Sequence, residues 1–167
     1  MAKPKLFDPL LRFAEIERLV SKIYYRFSHL FLNHNELRDF WWAMAKEEEQ
    51  HASILLACRD IISNSDHEKL DPDINVEKAN ALRKWLLDYL HEGTVSLTVD
   101  DAFRIALEVE CSEIDVIYGK LVQIGGPQIA KTMENLGVPA SAQRLKLKRM
   151  LRRFCTDEEL LQASAKL

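Results

Sequence analysis

Stepped at about 100° per residue, Phe13, Val20, Tyr24, Phe27 and Phe31 share one face, which predicts a first long helix over residues 8–32. A polar break at His34-Asn35 separates it from a second periodic run reaching about residue 63. Leu37, Phe40, Met44, Ile54, Leu55, Cys58 and Ile62 face inward there, so the two runs predict a helical hairpin. Asn64, Asp66, Asp71, Pro72 and Asp73 mark residues 63–75 as a loop. Asn75 then suits the cap of a shorter helix that runs to about residue 90 and is ended by Gly93. Thr98 with Asp101 three residues later resembles a capping box that opens a third long helix to about residue 124, where Gly125-Gly126-Pro127 stops it. A short helix over 128–136, a break at Gly137-Val138-Pro139, a fourth bundle helix from Ser141 to about Phe154 and a helical tail over 157–167 complete the pattern.

Two helical hairpins joined by a crossover containing a short helix bury all these stripes as a four-helix bundle. Composition agrees: with five glycines and five prolines in 167 residues, the chain favours helices over a turn-rich β architecture. The length suits one domain, 1–167, and is too short for two comfortable ones. Glu15-Ile16-Glu17 precedes Tyr25 by eight residues as Glu108-Val109-Glu110 precedes Tyr118, a short echo consistent with two related halves.

Charged residues interrupt the apolar faces at specific turns. Glu17 shares the face of Phe13, Val20 and Tyr24, whereas Glu15 points to solvent; Glu48 and His51 lie on the stripe between Met44 and Leu55; Glu110 and Glu113 flank the line of Ala106, Ile117 and Ile124. Glu48 and His51 form a Glu-x-x-His pair at i, i+3, neighbours on a helix, so a carboxylate oxygen and an imidazole nitrogen can reach one ion. Oxygen and nitrogen donors without cysteine suit iron or manganese, with zinc a further choice. Taken singly, Glu47-Glu48-Glu49 reads as a solvated charge run and His51 as a hydrogen-bonded core histidine. Convergence of five such residues on three helices favours a buried polar site, because burying charge without compensation is costly.

These residues resemble the rubrerythrin branch of the ferritin-like superfamily. The likeness covers about residues 13–121 and is carried by Glu17 with Tyr24 after it, by Ala45-Lys46-Glu47-Glu48-Glu49-Gln50-His51-Ala52, and by Glu110-Cys111-Ser112-Glu113 followed by Tyr118. It implies a ferritin-like bundle in which Glu17, Glu48, His51, Glu110 and Glu113 take the positions of di-iron ligands. It also implies peroxide- or oxygen-reducing chemistry with an external electron donor, and a homodimer. Two departures stand against it: the family's second Glu-x-x-His on the fourth helix is absent, and so is a rubredoxin-like cysteine domain.

The missing ligands leave two outcomes open. One iron or manganese ion per chain at most is held by Glu17, Glu48 and either His51 or Glu113, with Glu113 or Tyr24 supplying proton transfer. Alternatively no metal binds, and Arg144 or Lys148 neutralises the cluster of a non-catalytic structural or interaction protein. Facing the stripe of Leu147, Leu151 and Phe154, Gln143 or Arg144 is the residue expected where a ligand has been lost.

Arg144, Lys146, Lys148, Arg149, Arg152 and Arg153 make the fourth helix basic, and its expected partners are acidic neighbours such as Asp157, Glu158 and Glu159. No aromatic residues interleave with these cations and the net charge is −3, so a nucleic-acid partner is not expected. Trp41-Trp42 reads as packing or a dimer contact. Cys58, Cys111 and Cys155, without a CxxC pair, read as reduced core thiols. Neither a signal peptide nor a run of roughly 18 apolar residues is seen, which makes a cytoplasmic location the default expectation.

Overall fold

The structure, a computed structural model, describes residues 7–64, 76–93, 96–112 and 140–167. It is an all-α helical bundle, and no strand occurs among the described residues. Helices α1 (Phe7–Leu30) and α2 (Asn35–Asn64) form the predicted hairpin; α3 (Val76–Glu92) lies in the connection to α4 (Val99–Glu110); α5 (Ala140–Phe154) and α6 (Glu158–Ala163) follow, with a 3-10 turn over Ser164–Lys166.

The hairpin turn is short, so α1 and α2 must pack against each other along their lengths. His34 Nδ1 accepts from the Leu37 amide at 3.3 Å and satisfies one of the orphan donors at the start of α2. Small polar residues inside the pair tie the helices together: Ser21 donates to the Ala45 carbonyl and Ser28 to the Arg38 carbonyl, each at 2.9 Å. Helix α3 packs on α1, where Arg83 meets Glu15 at 2.8 Å and Arg26 donates to the Leu90 carbonyl at 3.0 Å.

Trp41 organises the core between α1, α2 and α4. Its ring centroid lies 5.5 Å from Tyr24, 5.0 Å from Phe27 and 4.8 Å from both Phe40 and Phe103. The neighbouring Trp42 is 53% exposed and rests edge-on against Tyr25. The pair thus splits between core packing and surface.

Thr98 caps α4 with the complete capping box, accepting from the Asp101 amide at 3.1 Å while the Asp101 carboxylate accepts from the Thr98 amide. A Thr98→Ala variant is expected to lose about 1 kcal/mol, read from urea denaturation at unchanged slope. At its other end α4 is shorter than its periodicity predicts. Cys111 occupies the C-cap and the Ser112 hydroxyl donates to the Val109 carbonyl, an alternative to continuing the helix. The predicted continuation over 113–124, the short helix over 128–136 and the candidate ligand Glu113 lie outside the described residues.

Arg104 joins α4 to the cap of α6, meeting Asp101 at 2.9 Å and Asp157 at 2.6 Å. The Arg104 hydrogen bond, helped by the amides of Leu160 and Glu159, holds the Asp157 carboxyl below its ordinary value. A depressed folded value gives a contribution that is present above the unfolded pKa, about 3.9, and lost as pH falls through the folded value. The stability gap between the wild type and an Arg104→Gln variant is therefore expected to be full near neutrality and to close in acid, measured by denaturation at a series of pH values.

Two of the three cysteines are core thiols as expected: burial pushes Cys58 up to about 11, and burial together with Asp100 pushes Cys155 up to about 12. Cys111 departs from the expectation, standing exposed at the end of α4. None of the three is in a disulfide. Among the described residues no helix is long and apolar enough to cross a membrane.

Candidate metal centre

Helical register alone delivers the polar cluster. Glu17 follows Phe13 by four residues and precedes Val20 by three, on the buried stripe of α1; Glu48 and His51 occupy successive turns of α2 between the buried Met44 and Leu55. Glu17, Glu48 and His51 are 4%, 3% and 5% exposed. One ligand atom from each lies within 4.8 Å of those of the other two, a group able to hold a metal ion. Glu15 and Glu108 point away from the core, as their register requires.

The centre of the group is Glu48. Its Oε2 lies 3.2 Å from His51 Nδ1, and its Oε1 accepts a hydrogen bond from the Gln143 amide on α5. Burial raises the Glu48 carboxyl, but hydrogen bonds with Glu17, His51 and Gln143 and the charge of His51 outweigh burial and hold it below the ordinary value. Glu48 therefore stays an anion in the interior.

Glu110, the last residue of α4, is also buried and accepts from the Tyr24 hydroxyl at 2.8 Å. Burial and the nearby charges of Glu110, Glu48 and Glu17 raise Tyr24 well above its ordinary value, so the phenol remains protonated. Glu17, Val20, Glu48, His51, Val109, Glu110 and Gln143 line a cavity of about 10 Å³, the size of one water or one ion.

The structure thus brings four of the five sequence-predicted ligands to one cavity, three of them within mutual reach of a single ion. What α5 sends to the cavity wall, among the described residues, is Gln143, 1% exposed. Of the two proposed compensating cations, Arg144 donates to the Glu110 backbone carbonyl at 2.9 Å, and Lys148 is part-buried and does not line the cavity.

Other cations of α5 find acidic partners on α2 rather than at the α6 cap: Lys146 pairs with Glu47, and Arg153 meets Glu36 at 2.6 Å. The expected partner Asp157 is taken by Arg104 of α4. Glu47, expected to be solvated, is 8% exposed. Its position one residue before Glu48 in an acidic run gave no separate sign of burial; the sign lay on α5, in a lysine three residues after Gln143.

Comparison with protein-family models, with curated proteins and with solved structures returns no match.

The donor set fits a hard or borderline divalent ion: two carboxylates and an imidazole, no thiolate, and a space the size of one ion. A divalent charge would offset the Glu48 carboxylate, an anion whose burial is otherwise costly.

Proposed function

We propose that this chain is a metal-binding protein of rubrerythrin type, holding one iron or manganese ion through Glu17, Glu48 and His51. The observation that carries the reading is the buried convergence of these three side chains within 4.8 Å. An iron or manganese ion held there by Glu17, Glu48 and His51 would supply redox chemistry suited to peroxide or oxygen reduction with an external donor. The chain's own part is to exclude bulk water, keep Glu48 ionised, and hold a proton on the Tyr24 hydroxyl against Glu110 at the edge of the ligand group.

A second reading, a non-catalytic scaffold whose acidic cluster is balanced by α5, draws on the Lys146–Glu47 ion pair and on Arg144 at the end of α4. Thermal unfolding with anaerobic ferrous or manganous ion separates the two. The metal reading expects stabilisation of about 2.7 kcal/mol at a free metal concentration 100-fold above Kd. The scaffold reading expects none, and expects Arg144→Ala or Lys146→Ala to destabilise the fold instead.

A further inference from the structure

We infer that Gln143 is a positioning residue that keeps this centre to a single ion. This rests on the metal reading above and adds how the site is limited. Gln143 is almost wholly buried on α5, among the apolar positions Leu147 and Leu151 that follow it at helical spacing. A carboxamide there requires a partner, because an unpaired buried amide is costly. Its Nε2 donates to Glu48 Oε1.

Each carboxylate oxygen has a distinct surrounding. Oε1 faces an amide N–H, a donor that carries hydrogen toward the oxygen and so occupies the direction from which a cation would approach it. Oε2 faces His51 Nδ1, itself a metal-ligating atom, at 3.2 Å, so it lies on the side where an ion shared with His51 and Glu17 would sit. Glu48 is thereby oriented with one direction on Oε1 already taken by a hydrogen, which disfavours its bridging to a second ion. The other carboxylate on the cavity wall, Glu110, is engaged by the Tyr24 hydroxyl at 2.8 Å.

Gln143 therefore acts twice, through one hydrogen bond. It orients Glu48, the role that partners of metal-binding carboxylates commonly play, and it withholds the second oxygen. Being neutral, it adds no charge to offset another divalent ion.

Titration of the full chain with anaerobic ferrous ion, and separately with cobaltous ion as a spectroscopic probe, tests this in two variants alongside the wild type. Gln143→Met keeps the length and removes the donor; it is expected to bind one ion per chain with affinity reduced about 10- to 100-fold. Gln143→Glu replaces the donor with a further carboxylate and frees Glu48 Oε1; it is expected to take up a second ion per chain. Wild-type affinity in Gln143→Met, together with saturation at one ion in Gln143→Glu, would overturn the role of Gln143 while leaving the metal site standing. Absence of metal from the wild type and both variants would overturn the metal reading and this inference with it. Should Gln143→Met not fold, the stoichiometry of Gln143→Glu alone decides, since a merely structural glutamine gives no reason for a second ion.

Discussion

Replacing Trp41 with alanine is expected to destabilise the fold by about 3–5 kcal/mol. The indole is fully buried and packs against Tyr24 and Phe27 from α1, Phe40 from α2 and Phe103 from α4. Its removal would leave a void bordered by three helices, which cannot all collapse into it without disturbing Tyr24 and the site beyond. Chemical denaturation at constant slope measures the loss. Two controls isolate the mechanism. Trp41→Phe keeps most of the ring contact and discards an indole N–H that is buried without a hydrogen-bond partner, so its cost should be less than about 1.5 kcal/mol. Trp42→Ala, at a half-exposed position, should cost about 0.5 kcal/mol or less. Equal losses at Trp41 and Trp42 would contradict the placement of the core.

The second large effect is expected at Glu48. This carboxylate touches Glu17 on α1, His51 on α2 and Gln143 on α5. A Glu48→Ala variant removes a proposed ligand and unties Glu17 and His51, so metal-dependent stabilisation should vanish, against an expected gain of about 2.7 kcal/mol in the wild type at 100-fold excess over Kd. Glu49→Ala, next along the helix, removes an exposed carboxylate that pairs with Lys46 at 3.1 Å. It should leave the metal effect intact, because a surface pair contributes about 1 kcal/mol at most. Loss of the metal response in both variants would point to general acidity rather than a built centre.

Much of this arrangement was legible in the sequence for a simple reason: the helices are long and their apolar stripes regular, so register alone places Glu17, Glu48, His51 and Glu110 inward and Glu15 and Glu108 outward. The capping box at Thr98 and the end of the fourth bundle helix at Phe154 followed from local chemistry in the same way. Contacts between helices were harder to read. Periodicity shows that Glu47 lies beside Glu48, but not that α5 would present Lys146 to it. Likewise it allowed either Gln143 or Arg144 to face the cluster, and one helical step of about 100° decided for the amide on the cavity wall. The early end of α4 at Glu110 escaped the pattern because the apolar residues Ile117 and Ile124 continue the stripe. The hydroxyl of Ser112, competing for a backbone carbonyl, has no hydrophobic signature.

Iron or manganese, and peroxide or oxygen chemistry, are proposals that rest on the resemblance of a few residues to those of rubrerythrin-type proteins. The geometry supplies a buried group of two carboxylates and an imidazole, a neutral amide on α5 and a cavity the size of one ion.

Elemental analysis of protein purified without chelator or affinity metal, repeated after anaerobic incubation with ferrous ion, tests the central claim most directly. About one iron or manganese per chain is expected, lost in Glu48→Ala and retained in Glu49→Ala. No specific metal under either condition would contradict it.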